Sequence, residues 1–208
     1  MAPDLGGDAK SEVLKRIRTA LADRAVPMPV PRGYRSAGSV TTEHAVLVAQ
    51  FDERVADYRA TVHRASAGAS VESILAGRGI ARVVVPDGFP DALLPTSVEA
   101  VREPVDTAVL DAVSAVVTTC AAGVAETGTI VLDAGPGMGP RALTLVPDYH
   151  LVVIRTDQIL AIVPDAVAAL DGTRPLTWIS GPSATSDIEL NRVEGVHGPR
   201  TLDVLITD

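Results

Sequence analysis

A chain of 208 residues, 47% of them hydrophobic, can fill one sizeable core and suits a single domain with an extension. Its formal net charge of −8 excludes the basic surface that nucleic-acid binding needs. The single cysteine, Cys120, excludes an internal disulfide and a cysteine-ligated iron–sulfur cluster within one chain. The N-terminus lacks the basic start and apolar run of a signal peptide, and we expect a soluble, cytoplasmic protein without a membrane span.

The N-terminal part of the chain predicts an extension that covers residues 1–40. Apolar residues at helical spacing predict an amphipathic helix over residues 11–21. Three prolines follow within residues 26–33, and each removes a backbone donor and restrains its predecessor, which predicts an extended linker. We therefore divide the chain into an N-terminal helix with a Pro-rich linker, residues 1–40, and a main domain, residues 41–208.

The main domain alternates between helical and strand-like periodicity. We predict helices over residues 43–64, 71–76, 107–113 and 157–170 with a short one from Asp187, and strands over residues 81–85, 98–101, 114–118, 128–132, 151–155, 176–179 and 202–207. This alternation predicts an α/β fold with a mainly parallel sheet flanked by helices. Ligands of such sheets bind beyond the carboxyl ends of the strands, where we expect the loops after Thr118, Leu132 and Ile179 to cluster.

The turn over residues 125–129 carries the candidate catalytic residue, Glu126. Gly128 permits a close backbone approach to a ligand, and Thr127 and Thr129 add hydroxyl groups that can bind it. A carboxylate at this position can act as a base or as a nucleophile. The alternative is an ion pair between Glu126 and an arginine, with the threonines only beginning a strand.

A polar loop over residues 180–189 predicts an anion site at the start of a helix. Within it, Ser186 and Glu189 fit a capping box, in which each side chain satisfies a backbone donor of the other residue. Capping leaves other groups of the loop to hold a carboxylate or phosphate beside the positive end of the helix. These candidate binding residues are Ser180, Gly181, Ser183, Thr185 and Asp187.

Four further side chains are candidates for binding the same ligand. Arg141 is placed to neutralise either Glu126 or a ligand, and Arg200 can clamp an anion with its planar guanidinium. His197 can donate or relay a proton. His150, with His197 and a carboxylate, is a conceivable metal site, but the spacing matches no short ligand motif, so we expect no metal.

Four motifs in order resemble the LUD domain family. They are AETGTIVL at residues 125–132, Arg141 followed by LVPDYH at residues 145–150, SGPSATSDIE at residues 180–189 and GVHGPR at residues 195–200. More narrowly, they resemble the C-type group of that family. The resemblance extends from about Thr42 to the C-terminus and implies a fold like that of the NagB/RpiA/CoA-transferase group.

The resemblance also implies a function, as a component of a three-part system that oxidises L-lactate to pyruvate. The expected partners are a cysteine-rich subunit and an iron–sulfur subunit with its own LUD domain. Because this chain has one cysteine, iron–sulfur clusters are expected on the partner subunit and no cofactor on this chain. The motif residues transfer as binding residues only, although a looser similarity to CoA transferases, whose nucleophile is a glutamate near a glycine, favours Glu126 for chemistry.

Three functions are therefore open from the sequence. The first is an accessory component of a lactate-oxidising complex. The second is an independent CoA-transferase- or isomerase-like enzyme that uses Glu126 on small carboxylates or acyl-CoA thioesters. The third is a metabolite-binding module without chemistry, with a small anion at Ser183, Thr185 and Arg200.

Overall fold

The computed structural model describes residues 6–22, 28–64, 67–94, 96–182, 184–185, 193–194 and 197–208. The chain divides into two units, residues 1–34 and residues 35–208. The first unit contains helix α1, Gly6–Ala20, in which Val13, Leu14 and Ile17 recur at helical spacing. The helix predicted over residues 11–21 is therefore confirmed, and it begins earlier than predicted.

The second unit holds the remaining helices and all strands of the described residues. The helices are α2 (His44–Asp57), α3 (Ala67–Gly77), α4 (Thr107–Ala112) and α5 (Val163–Ala169). The strands are β1 (Thr61–Arg64), β2 (Arg82–Val85), β3 (Glu99–Arg102), β4 (Ala115–Thr118), β5 (Ala122–Val124), β6 (Thr129–Leu132), β7 (Tyr149–Arg155), β8 (Ile159–Leu160), β9 (Thr177–Ile179), β10 (Ala184–Thr185), β11 (Val193–Glu194) and β12 (Thr201–Thr207). None of the helices in this described part is long and apolar enough to cross a membrane.

The main sheet has six strands in the order β1-β12-β7-β4-β2-β3, and every pair is parallel. The predicted α/β class with a mainly parallel sheet is therefore confirmed. A second sheet, β8-β5-β6-β9, is mixed, and β10 and β11 form a short antiparallel pair. At the centre of the main sheet, β12 pairs with β7 so that Leu202 lies beside His150 and Asp203 beside Leu151.

The main sheet is buried on both faces because different elements cover each face. On one face, helix α2 buries Phe51 and Val55 against Ile154 of β7 and Val204 of β12, together with residues of the second sheet. On the other face, helix α3 packs its apolar side against a core from β2, β4, β7 and β12 that includes Leu205. Successive residues of β7 and β12 thus face opposite cores, as strand geometry requires.

One predicted helix was too long. The helix predicted over residues 43–64 ends at Asp57, and Thr61–Arg64 forms strand β1 at the edge of the main sheet. Arg59 has φ 66°, a left-handed conformation that cannot continue an α-helix, so the chain leaves the helix there. The main sheet therefore includes a strand well before residue 81, where the sequence predicted its start.

The second sheet also departs from the prediction. In place of the helix predicted over residues 157–170, the chain makes a 3₁₀ turn at Thr156–Gln158, strand β8 and then helix α5. Pro164, at the beginning of α5, has no backbone N–H for a preceding helical turn, which favours a late helix start. The strands predicted over residues 128–132 and 176–179 exist, but they pair with each other in the second sheet. The helix predicted from Asp187 lies outside the described residues.

Phe51 tests the contribution of the α2 core. Phe51 is fully buried on helix α2, whereas Val46 of the same helix is 52% exposed. We expect Phe51→Ala to lower the free energy of unfolding by about 3–5 kcal/mol, since it removes buried apolar surface and leaves a cavity. Val46→Ala is the matched control and should change it by less than about 0.5 kcal/mol. Urea unfolding measures both values, and similar losses would contradict the assigned packing.

Candidate functional site

A polar pocket of about 210 Å³ lies beside the main sheet. Its walls come from the turn before β7, the start of β7, the end of β9 with the residues after it, and the turn before β12. Five of the residues predicted as binding residues line it: Arg141, His150, Ser180, Gly181 and His197. Segments that are distant in sequence thus meet around one small cavity.

His150 is the fully buried polar residue of this pocket. Its Nε2 lies 2.8 Å from the hydroxyl Oγ1 of Thr118 on the neighbouring strand β4. Its other ring nitrogen, Nδ1, is buried without a hydrogen-bond partner in the described residues. Burial, and after it the charge of Arg141, lowers the pKa of His150 to about 3. The imidazole is therefore neutral at physiological pH.

Arg141 brings a positive charge to the pocket. It belongs to the 3₁₀ turn Arg141–Thr144, and it donates from Nη1 to Thr144 Oγ1 at 2.9 Å and from Nη2 to the His197 carbonyl at 3.0 Å. Within the described ranges, no carboxylate pairs with it. Burial lowers its pKa, yet an arginine remains charged at neutral pH. In the described part of the chain, two of its five N–H groups have an acceptor.

A chain of hydroxyl groups links the 125–129 turn to the pocket. Thr127 Oγ1 lies 2.7 Å from Thr129 Oγ1, and Thr129 Oγ1 lies 2.9 Å from Ser180 Oγ in the pocket wall. Each hydroxyl can rotate to donate or to accept. The two predicted threonines therefore reach the pocket through Ser180, although neither of them lines it.

The glycines at positions 128 and 181 let the backbone pack closely on helix α2. A Cβ at Gly128, where φ is +61°, would lie 2.7 Å from the backbone carbon of Arg54. A Cβ at Gly181, where φ is +88°, would lie 2.6 Å from Cβ of Tyr58. Both positions therefore need glycine for conformation and for space. The close approach at Gly128, which the sequence assigned to a ligand, is made to α2.

Glu126 lies outside the pocket lining and is held in an ion pair. Arg35 donates from Nη1 and Nη2 to its two carboxylate oxygens, at 2.7 and 2.8 Å. The hydrogen bonds and charge of Arg35 lower the pKa of the Glu126 carboxyl. The alternative expected from the sequence, an ion pair with an arginine, is thus present. A nucleophilic or basic role of Glu126 requires this pair to open.

Arg200 is likewise engaged away from the pocket. Its Nε donates to Asp148 Oδ1 at 2.6 Å, and its Nη2 donates to the other carboxylate oxygen. Hydrogen bonds from Arg200 lower the pKa of Asp148. Ser183, Asp187 and the side chain of Thr185 lie outside the described residues. The joint placement of Ser183, Thr185 and Arg200 around one anion therefore stays a prediction.

The pocket does not lie beyond the carboxyl ends of the strands of the main sheet, where the sequence predicted the ligand site. His150 and Leu202, which line it, are the second residues of β7 and β12, so the pocket is near the amino ends of these strands. Of the three loops expected to cluster, two contribute described residues to the lining: the one after Ile179, and the one after Leu132 through Arg141 and Thr144 near its far end. The physical reason is that Ile179 ends a strand of the second sheet, whose position the sequence did not predict.

Sequence reasoning missed two residues that hold pocket side chains: Thr144, which lines the pocket, and Thr118, which does not. Thr118 and Thr144 are both buried, and they hold the side chains of His150 and Arg141. For Thr118 the available signal was a hydroxyl residue that ends an otherwise apolar strand, since a buried polar group needs a partner. Among the described residues, no three His, Cys, Asp or Glu side chains lie close enough together to hold a metal ion. Burial raises the pKa of the Cys120 thiol to about 12, so the thiol is not reactive.

Comparison with known proteins identifies the family. Residues 80–207 match the LUD domain. The chain belongs to the LUD domain family. The match includes Arg141, His150, Ser180 and His197 of the pocket, and it confirms the resemblance carried by the four sequence motifs.

Relatives within the family are named for lactate utilization. The chain is 42% identical over 210 residues to lactate utilization protein C of Deinococcus radiodurans, covering 96% of this chain and 95% of that protein. It is 40% identical over 93 residues to lactate utilization protein C of Bacillus pumilus, covering 40% of this chain and 38% of that one. It is also 41% identical over 85 residues to the uncharacterized protein YkgG of Escherichia coli, and the match covers 37% of this chain and 36% of that protein. The narrower resemblance to the C-type group is confirmed.

A solved structure has the same fold. A crystal structure of a DUF162 family protein from Deinococcus radiodurans superposes with a TM-score of 0.68 and 38% sequence identity. The superposition covers 81% of this LUD protein and the whole of that chain.

Acid stability tests the buried neutral state of His150. Its pKa is about 3 when folded against 6.5 ordinarily, so the unfolded chain binds the proton first as the pH falls. The contribution of the neutral His150 to the free energy of unfolding is therefore complete above pH 6.5 and is lost progressively toward pH 3. We expect the free energy of unfolding to fall by about 1–2 kcal/mol more in the wild type than in His150→Gln between about pH 6.5 and pH 5. Parallel losses in urea titrations would show that His150 does not stay neutral.

Proposed function

We propose that this LUD protein acts in lactate utilisation, as an accessory component of a multi-subunit system that oxidises L-lactate to pyruvate, and that its pocket binds a small carboxylate. The similarity to lactate utilization protein C of Deinococcus radiodurans over 96% of the chain supports the pathway. The pocket supports the ligand class.

The observation that carries the ligand assignment is the Arg141 guanidinium. Arg35 and Arg200 are each paired with a carboxylate, whereas Arg141 is paired with none in the described part of the chain. A guanidinium that lines a pocket without a carboxylate partner favours an anionic ligand, because a carboxylate supplies the opposite charge and forms charge-assisted hydrogen bonds. The volume of about 210 Å³ favours a small metabolite, since pockets for drug-sized ligands hold roughly 300–1,000 Å³.

His150 supplies a second contact suited to a three-carbon acid. When Nε2 carries the proton and donates a hydrogen bond to Thr118 Oγ1, Nδ1 is an acceptor for the 2-hydroxyl group of lactate. When the Thr118 hydroxyl instead donates to Nε2, Nδ1 carries the proton and donates to the ketone oxygen of pyruvate. A change of imidazole tautomer, together with rotation of the Thr118 hydroxyl, thus adapts the neutral ring to the reduced or the oxidised acid.

The electron-transfer groups of the proposed system belong to other subunits. An iron–sulfur cluster is held by several cysteine thiolates, and this chain contains one cysteine, the buried Cys120. The proposed partners are therefore the cysteine-rich subunit and the iron–sulfur subunit with its own LUD domain. In the proposed system, this chain is the subunit that binds the carboxylate.

Ligand binding tests the pocket directly. We expect lactate and pyruvate to bind in calorimetric titrations and Arg141→Gln to weaken the binding about tenfold, because a charge-assisted hydrogen bond is lost. Arg200→Gln is the matched control, since Arg200 is engaged with Asp148 away from the pocket. Equal affinities for the wild type and Arg141→Gln would refute the pocket assignment. A loss confined to Arg200→Gln would move the site to that arginine.

Genetics and association test the pathway. We expect deletion of the coding sequence to abolish growth on L-lactate as sole carbon source, while growth on pyruvate is unchanged. The wild-type protein should restore growth, and affinity purification from lactate-grown cells should retain cysteine-rich and iron–sulfur subunits. Undiminished growth on lactate together with no associated subunit would end this part of the proposal, whatever the titrations show.

A further inference from the structure

A second polar cluster lies on the opposite face of the main sheet, around the fully buried carboxylate of Asp203 on β12. Arg78 donates from Nη2 to Asp203 Oδ1 at 2.7 Å and from Nε to Oδ2 at 3.3 Å. The Tyr149 hydroxyl donates to Oδ2 at 3.0 Å, and His63 Nε2 lies 3.1 Å from the same oxygen. One buried carboxylate thus orients an arginine, a histidine and a tyrosine.

The arginine and the histidine of this cluster face a cavity. The side chain of Arg78 is 40% exposed and that of His63 is 31% exposed. Both line a cavity of about 420 Å³ whose other wall is formed by Ser73, Ile74 and Gly77 of helix α3. A Cβ placed on Gly77 would meet no atom within 4 Å, so the absent side chain leaves this wall open.

Both side chains have a nitrogen left after binding Asp203. Arg78 uses Nε and Nη2 for Asp203, and Nη2 also contacts Thr61 Oγ1 at 3.3 Å. In the residues that the structure describes, its Nη1 and the Nδ1 of His63 have no hydrogen-bond partner. The charge of Arg78 is balanced by Asp203. The Arg78 guanidinium and the His63 ring, when its Nδ1 carries a proton, are then two donors held in place by Asp203, and such a pair suits an oxyanion.

We propose that this cavity binds the oxyanion group of a small metabolite, a phosphate or a carboxylate, through Arg78 Nη1 and His63 Nδ1. The site is separate from the pocket of Arg141, because Asp203 and Leu202 are successive residues of β12 and face opposite sides of the sheet. His63 and Arg78 also precede the range, residues 80–207, over which the family match extends.

The four histidines of the chain allow one experiment to examine both sites. His63 reports on the proposed cavity, His150 and His197 report on the Arg141 pocket, and His44 lines neither cavity. Imidazole carbon–proton NMR signals, assigned by single His→Gln substitutions, are followed while inorganic phosphate, and separately acetate, is added at constant pH and ionic strength. Sodium chloride serves as the salt control.

We expect phosphate or acetate to shift the His63 signals with saturation while the His44 signals stay in place. The anion with the lower Kd identifies the ligand chemistry as phosphate or carboxylate. A His63 shift that does not saturate and that parallels His44 would overturn the proposal. A shift of His150 and His197 without one of His63 would also overturn it and would leave the lactate-binding proposal standing.

A variant that leaves the charged groups intact locates the anion. Removing Arg78 would leave the buried Asp203 without its cation and risks unfolding the protein. Gly77→Leu instead fills the cavity and suits the helix end, since leucine favours helices more than glycine does. We expect Gly77→Leu to raise the Kd of the anion, measured from the His63 signals, at least about tenfold. Gly172→Leu, at another glycine with open space around its Cβ, is the matched control and should bind as the wild type does. Unchanged binding in Gly77→Leu would refute the site.

Discussion

The pairing of β7 with β12 at the centre of the main sheet is the constraint on which both polar sites depend. The two strands are parallel and in register from Tyr149 beside Thr201 to Arg155 beside Thr207. Since side chains alternate between faces, His150 is directed to the face covered by α2 and the second sheet, and Asp203 to the face covered by α3. A shift of one residue in either strand would exchange polar and apolar groups between the two cores.

The polar groups on the two faces differ in how they are satisfied. Asp203 has partners for its charge, which is the usual condition for a buried carboxylate. His150 avoids a charge altogether, because burial and the nearby guanidinium keep it neutral. Arg141 is charged beside it and has only neutral oxygens as partners in the described residues. The electrostatic asymmetry of the Arg141 pocket is what distinguishes it from the ion pairs of Arg35 and Arg200.

The sequence motifs predicted only some of the residues that line the pocket, because a motif does not show which charged residues are already paired. Arg141, His150, Ser180 and His197 stand in loops or at strand starts, where polar residues between apolar runs are visible by position. Glu126 and Arg200 are also polar residues between apolar runs. Each is nevertheless neutralised by a partner that is distant in sequence: Arg35 pairs with Glu126, and Asp148 pairs with Arg200. Composition and spacing do not reveal which of several polar loop residues has an opposite charge within reach.

The sequence by itself determined the fold class, the family and most strands, because apolar periodicity and ordered motifs are local properties. Only the tertiary structure decided that Thr61–Arg64 is a strand, since its side chains continue the helical spacing of α2 and the edge of β12 supplies its hydrogen bonds. It also decided that β6 and β9 leave the main sheet to pair with each other. Strand pairing joins residues far apart in the chain, and its energy comes from contacts that no local pattern records.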